Sequence, residues 1–179
     1  KKYILLIICT TCFIGAFAQT KTGDLLIQNA TVITITNGVL EDTDILIKNG
    51  KIAKIEKGIK TTGGVETIDA KGMYVMPGII DAHSHIGVSV VNEATSPITA
   101  EVWVGDVLDP TDVSLYRALA GGVTTSHVMH GSANAIGGQC ETIKHRWGVL
   151  NPEHLRMQGA PRTIKFALGE NPMRLHGEN

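Results

Sequence analysis

The feature that most constrains this chain is a change of pattern at Pro77-Gly78. Before it, residues 24–76 contain short runs rich in β-branched residues, separated by Asn-Gly and Gly-Gly turns. Such runs are typical of strands in a small, mostly antiparallel sheet. After it, the largely apolar run at residues 79–82 resembles a strand that is buried on both faces of a parallel sheet. The chain is therefore predicted to place a β module before an α/β module.

Turn residues set the expected pairing in the β module. Asn49-Gly50 predicts a type I′ hairpin between residues 44–48 and 51–56, because both central residues of that turn adopt positive φ. We also expect residues 65–69 to pair with residues 73–76 across the short turn between them.

The α/β module is expected to begin with a strand and continue with a helix. Asp109 is predicted to cap this helix with Pro110 as its first residue, and Gly121-Gly122 to end it. Because strands and a helix alternate, the sequence favours a β/α repeat. The further strands are expected at residues 123–129, 141–144 and 163–168.

The first eighteen residues have the pattern of a signal peptide. Lys1-Lys2 precedes an apolar stretch at residues 3–17, and Ala16-Phe17-Ala18 is a typical cleavage site. We expect an exported protein, periplasmic or secreted, without stable membrane insertion after cleavage; the alternative is an uncleaved membrane anchor. Because the chain begins with lysine and ends without a natural stop, we expect it to be a fragment.

Composition excludes some classes of partner. The 16 basic and 17 acidic residues give a net charge of −1, so no basic surface for nucleic acid is predicted. Of the three cysteines, Cys9 and Cys12 lie in the signal segment and only Cys140 remains, so no internal disulfide is expected. A chain with 43% hydrophobic and 18% charged residues is expected to form a packed core.

The segment HSH at residues 83–85 is the main candidate for chemistry. On a strand, His83 and His85 point to the same side while Ser84 points away. Two neutral imidazoles can then bind one metal ion, and zinc and its neighbours accept this ligand readily. An isolated H-x-H is a weak signal, but here it ends an apolar strand, which is where barrel enzymes carry their active sites.

The segment MPGIIDAHSH at residues 76–85 is similar to the first-strand motif of the amidohydrolase superfamily. Residues 44–76 resemble the β-sandwich of that superfamily, and residues 131–139 resemble a loop of its imidazolonepropionase-like and prolidase-like branch. The resemblance implies a β-sandwich module at residues 19–76 and the first part of a (β/α)8 barrel at residues 77–179, incomplete in this chain.

The resemblance also implies a metal site with one or two divalent ions, zinc first among them. His83 and His85 match the first two ligands. The bridging ligand is a glutamate or a carboxylated lysine, for which this sequence offers Glu170, favoured because the fourth strand should end there, or Lys165. The general-base aspartate is expected beyond Asn179. His130 is a candidate for contacting the substrate, whereas His145 and His154 are expected to be ordinary surface residues.

The implied activity is hydrolysis of a carbon–nitrogen bond in an amide, dipeptide or cyclic amide by metal-activated water. The substrate is therefore expected to be a small molecule or a peptide, and homo-oligomer formation is left open. The fragment alone is expected to be inactive. Two alternatives remain: a deaminase that uses the same barrel with one metal, and a non-catalytic exported binding protein.

Overall fold

The computed structural model describes residues 23–177, which fall into two compact units that divide between Met76 and Pro77. Each unit is described by itself. The predicted signal peptide at residues 1–18 lies outside the described residues, and the predicted domain bounds stay a prediction. Among the described residues, the helices are all too short or too polar to span a bilayer.

The first unit is built on one five-stranded sheet. Its strands are β1 (Leu25–Ile33), β2 (Val39–Lys48), β3 (Lys51–Glu56), β4 (Glu66–Asp69) and β5 (Tyr74–Val75). The sheet has the order β3-β2-β1-β4, and β5 also pairs with β1. The type I′ hairpin is confirmed, since β2 and β3 are antiparallel and Asn49 and Gly50 have φ of 51° and 71°.

The pairing of the last two strands differs from the prediction. Both β4 and β5 pair in parallel with β1, so they do not form a hairpin with each other. The turn between them instead carries the chain along one edge of β1. Sequence alone favoured the nearer partner, but the long β1 offers a free edge along most of its length.

The core of the first unit is apolar around one buried carboxylate. Asp44 is 3% exposed, and its two oxygens accept backbone N–H groups from Asn29 at 2.9 Å and Ile59 at 2.8 Å. Asn29 has a φ of 60° and lies where the register of β1 with β2 shifts. Asp44 therefore satisfies the N–H of Asn29 at this irregularity and that of Ile59 in the loop after β3. The buried apolar side chains are Leu26, Ala30, Val32, Ile45, Leu46, Ile59 and Ala70.

The second unit mixes strands and short helices, so the chain as described is α/β and mostly sheet. Its elements are β6 (Ile79–Ser84), α1 (Val113–Ala120), β7 (Val123–Val128), β8 (Ile136–Gln139), β9 (Glu141–Lys144), β10 (Ile164–Phe166) and α2 (Glu170–His176), with 3₁₀ helices at Val104–Val107 and Pro152–His154. One sheet has the order β6-β7-β9, with β6 parallel to β7 and β9 antiparallel. A second, two-stranded sheet pairs β8 with β10. The described residues form no closed barrel.

Three local predictions in this unit are corrected. The helix cap is Asp112 rather than Asp109: the Asp112 carboxylate accepts the backbone N–H of Ser114, whereas Asp109 accepts that of Thr111 in the preceding turn. The strand expected to run to residue 168 ends at Phe166. Residues 136–139, expected to be loop, form β8 because β10 supplies a partner that no local pattern indicates.

The core of the second unit lies between α1 and the larger sheet. Its buried members are Val104, Leu108, Leu115, Val128, Ile143 and Leu155. Ser84 and Ser126 are also buried, at 6% and 0% exposure. The alternation of strand side chains then directs His83, on β6, to the other face of the sheet.

Candidate active site

The end of β6 brings His83 and His85 together. Their ring centroids are 5.2 Å apart and their planes meet at 82°, an edge-to-face arrangement. His83 is exposed and His85 half-buried, whereas the intervening Ser84 faces the core. The two imidazoles therefore lie on the same side of the strand, where both rings can contact one ion.

A backbone carbonyl fixes the ring of His85. The Nδ1 atom of His85 lies 2.8 Å from the carbonyl oxygen of Met129. Since a carbonyl can only accept, Nδ1 carries the proton and Nε2 keeps its lone pair free. Histidine ligands of metals typically donate their second ring N–H in this way. On this observation, the residues present fit a divalent metal, with Nε2 of His85 and the ring of His83 as its donors.

Electrostatics favour the neutral, metal-binding form of His83. The cationic Lys165 is the main cause that lowers the pKa of His83, followed by desolvation and by the neighbouring His85. Lys165 is half-buried in the middle of β10, and its Nζ lies 3.6 Å from the Sδ atom of Met129. Lys165 therefore lies near His83 although the two residues are 82 positions apart in sequence.

Glu170, the other candidate for the bridging ligand, lies outside strand β10. It is the first residue of α2, four residues beyond the end of β10, and it is exposed and paired with Arg174 at 3.0 Å. A cavity of about 390 Å³ has both Glu170 and Lys165 in its wall, together with Ser132. The charged groups that shift the pKa of His83 include Lys165 and do not include Glu170.

His130 is buried rather than open to solvent. It is 4% exposed, and burial lowers its pKa. Its Nε2 atom is buried without a hydrogen-bond partner, and a Cβ placed on Gly138 would lie 2.9 Å from it. The role of His130 in substrate binding stays a prediction, and contact with a substrate would require strand β8 to move at Gly138.

The environments of two other histidines were not predicted from the sequence. His145 is not a surface residue: it is 4% exposed, with Nδ1 3.0 Å from the carbonyl of Val123 and Nε2 2.9 Å from Oγ of Ser126. His127 is half-buried, and its two ring nitrogens contact the hydroxyls of Thr142 and Thr163. Its alternation with the buried Ser126 and Val128 was the signal in the sequence that could have placed it on the face of His83.

The described part of the chain supplies only some of the groups that a metal site needs. Within residues 23–177, no group of three or more His, Cys, Asp or Glu side chains converges as a metal site. The candidate site therefore consists of the His83–His85 pair with Lys165 beside it. Such a site can bind a cation through two imidazoles and can place a cationic or modified lysine next to it.

Comparison with known proteins shows which proteins this chain is similar to. A solved amidohydrolase structure from Thermotoga maritima is 40% identical, with a TM-score of 0.77; the match covers 86% of this chain and 41% of that one. Amidohydrolase tasK of Hapsidospora irregularis is 36% identical over 154 residues, 75% of this chain and 16% of that protein. A dihydroorotase of Geobacter metallireducens is 48% identical over 63 residues, 35% of this chain and 15% of that protein. No family model matches the chain.

These relatives, which also include a deaminase, and the solved structure are members of the amidohydrolase superfamily. The chain belongs to this superfamily, and the resemblance predicted from the first-strand motif is confirmed. The chain spans about one sixth of the length of its curated relatives and about two fifths of the solved structure.

Proposed function

We propose that this chain is part of a metal-dependent hydrolase that acts on the carbon–nitrogen bond of an amide, dipeptide or cyclic amide. The observation that carries the proposal is the pair of imidazoles at the end of β6, one of which is oriented by the carbonyl of Met129. Amidohydrolase and dihydroorotase, the names of two relatives, denote enzymes that hydrolyse such bonds. The substrate is a small molecule or a peptide, and the metal is zinc, as one or two ions.

Each unit has a place in the proposed architecture. The five-stranded sheet of the first unit belongs to the β-sandwich, and the second unit supplies the first strands of a (β/α)8 barrel. The parallel pairing of β6 with β7 supports this assignment, because consecutive strands of such a barrel are parallel neighbours. The histidines then lie at the end of the barrel where active sites are found.

The residues of this chain are proposed to bind the metal and to orient its ligands. His83 and His85 would hold the metal through neutral ring nitrogens, and the carbonyl of Met129 fixes the tautomer of His85. When bound, a divalent metal supplies Lewis acidity and lowers the pKa of its bound water to near neutrality. As an unmodified cation, Lys165 is the main cause that lowers the pKa of His83, so its side chain lies near that ring. The general-base aspartate is proposed to lie beyond Asn179.

We favour Lys165 over Glu170 as the bridging ligand. Lys165 influences His83 directly, whereas Glu170 is committed to an exposed ion pair with Arg174. An unmodified lysine is a cation and a poor metal ligand, so this role requires carboxylation of Nζ, which turns the side chain into an anionic oxygen donor. Glu170 remains the alternative, since it lies in the wall of the same cavity.

A deaminase is the second candidate. Relatives of this kind include a 5-methylthioadenosine/S-adenosylhomocysteine deaminase that is 32% identical over 102 residues, 54% of this chain. The described residues offer two imidazoles and no third acidic or imidazole donor, which suits a single metal as well as two. Metal stoichiometry separates the candidates, because a bridging ligand implies two ions.

The test is metal-dependent hydrolysis by the longest natural form of the protein. The protein is treated with a chelator, reloaded with Zn²⁺ and assayed against dipeptides, cyclic amides and aminopurines. Zinc-dependent release of a free carboxylate and amine supports the proposal, and release of ammonia from an aminopurine supports the deaminase. A protein that binds dipeptides but hydrolyses nothing would be the non-catalytic binding protein. The 179-residue chain alone is expected to be inactive.

We also propose that the protein is exported, on the pattern of residues 1–18. The expected result is a mature protein that begins at Gln19 in the periplasm or medium. N-terminal sequencing of the protein from fractionated cells tests this, and an intact leader in the cytoplasm would contradict it.

A further inference from the structure

His127 lies beside His83 on the neighbouring strand. In the parallel pairing of β6 with β7, the register shifts between Asp81 and Ser84, and Ser84 is opposite Val128. His83 and His127 come directly before these two residues; His83 is exposed and His127 half-buried. Ser84 and Val128 are buried in the core. Because strand side chains alternate, His83 and His127 both project to the opposite face. Lys165 is the main cause that lowers the pKa of His83, and His127 adds the smallest effect in the same direction.

Both ring nitrogens of His127 are engaged. Nδ1 lies 3.2 Å from the hydroxyl of Thr142, which is the residue opposite His127 in the pairing of β7 with β9. Nε2 lies 3.1 Å from the hydroxyl of Thr163. A threonine hydroxyl both donates and accepts, so either tautomer of the ring keeps both contacts. The ring is thus held at two points and has little freedom to rotate.

These two contacts join different sheets. Thr142 belongs to the β6-β7-β9 sheet, from which His83 projects, whereas Thr163 directly precedes β10 of the smaller sheet. Thr163 comes two residues before Lys165, so the two side chains project to the same side of an extended chain. The ring of His127 therefore connects the sheet that carries His83 to the strand that carries Lys165.

We infer that His127 is a positioning residue that sets the place of Lys165 relative to His83 by holding Thr163. This inference rests on the proposed metal site, and it gives His127 no contact with the substrate. His145 provides the contrast: its ring bonds Ser126 and Val123 within one strand of the larger sheet, on the buried face. A histidine that only stabilised the sheet would resemble His145 and would not reach across to β10.

The test uses the longest natural form of the protein and measures two quantities, Zn²⁺ affinity against a competing chelator and kcat/KM. Thr163→Val and His127→Phe are each expected to lower Zn²⁺ affinity by about tenfold or more, the usual range for a partner that orients a metal ligand. The double variant is expected to lose no more than either single one, because both remove the same contact. Thr163→Ser, which keeps the hydroxyl, is expected to behave as the wild type.

Ser126→Ala is the matched control, since it removes a serine–histidine contact from the residue next to His127 but on the buried face. It is expected to lower thermal stability without changing Zn²⁺ affinity. The inference is overturned if Thr163→Val and His127→Phe keep wild-type affinity and kcat/KM, or if Ser126→Ala lowers affinity as much as they do. If the wild type neither binds Zn²⁺ nor hydrolyses any substrate, the proposed function itself fails, and the inference fails with it.

Discussion

The two units differ in whether certain buried polar atoms have hydrogen-bond partners. In the first unit, both oxygens of the buried Asp44 carboxylate accept backbone N–H groups. In the second unit, Nε2 of His130 and Oδ1 of Asn134 are buried with no hydrogen-bond partner among the described residues. A buried polar atom without a partner costs about 1–3 kcal/mol. The first unit therefore satisfies its buried carboxylate, whereas the second carries unsatisfied buried groups, and one of them, His130, is within the influence of the charges of His85 and Lys165.

The sharpest test of this contrast compares two residues of the second unit. Lys165→Gln is expected to lower kcat/KM by about 100-fold or more, the loss typical of removing one electrostatic group from an active site. Glu170→Gln, which removes only an exposed ion pair, is expected to change it by less than about threefold. Steady-state kinetics on the full-length protein measure both. A larger loss for Glu170→Gln would make Glu170 the bridging ligand.

The same contrast predicts a large stability effect and no functional effect in the first unit. Asp44→Ala removes the acceptor of the buried N–H of Ile59 and of the part-buried N–H of Asn29, and it leaves a cavity in place of the buried carboxylate. The free energy of unfolding is expected to fall by about 3 kcal/mol, measured by urea denaturation. Glu41→Ala, at an exposed side chain on the same strand, serves as control. Equal stability of the two variants would show that Asp44 is dispensable.

Between pH 7.5 and 5.5, the pH dependence of stability should come from the buried histidines of the second unit. Burial is the main cause that lowers the pKa of His145, against the opposing effects of its bond to Val123 and the charge of Asp81. Because the folded pKa lies below the unfolded value of about 6.5, this stability is complete above that pH and is lost as the pH falls toward the folded pKa. His130 acts in the same direction.

We therefore expect the melting temperature to fall by several degrees between pH 7.5 and 5.5, measured with a chelator present so that metal release does not contribute. His145→Gln should flatten this dependence, whereas the exposed His154→Gln should not. Identical slopes for the wild type and His145→Gln would contradict the assignment.

The smallest effect is expected at the hairpin of the first unit. Gly50 has a φ of 71°, and a Cβ placed there would contact nothing within 4 Å. Gly50→Ala therefore introduces backbone strain at positive φ but no steric clash. The expected cost is about 1 kcal/mol of unfolding free energy. Gly23→Ala, also in open space but without a positive φ, is the control for the same denaturation experiment. No difference between these two variants would mean that the turn carries no strain.

Local patterns predicted the local features of both units. Asn49-Gly50 encodes its own turn, and the two-residue period of a strand is enough to bring His83 and His85 together. The partner of β4 and the contact of His127 with Thr163 depend on segments 41 and 36 residues away, about which the local sequence carries no signal. Lys165 was a named alternative, and Glu170 was favoured because the strand was expected to be longer than it is.

The central claim is that His83 and His85 bind a divalent metal. The most direct measurement is the metal content of the full-length protein after gel filtration, for the wild type, for His83→Ala with His85→Ala, and for His154→Ala. We expect one or two equivalents of zinc in the wild type and in His154→Ala, and almost none in the double variant. Zinc retained at wild-type stoichiometry by the double variant would contradict the account.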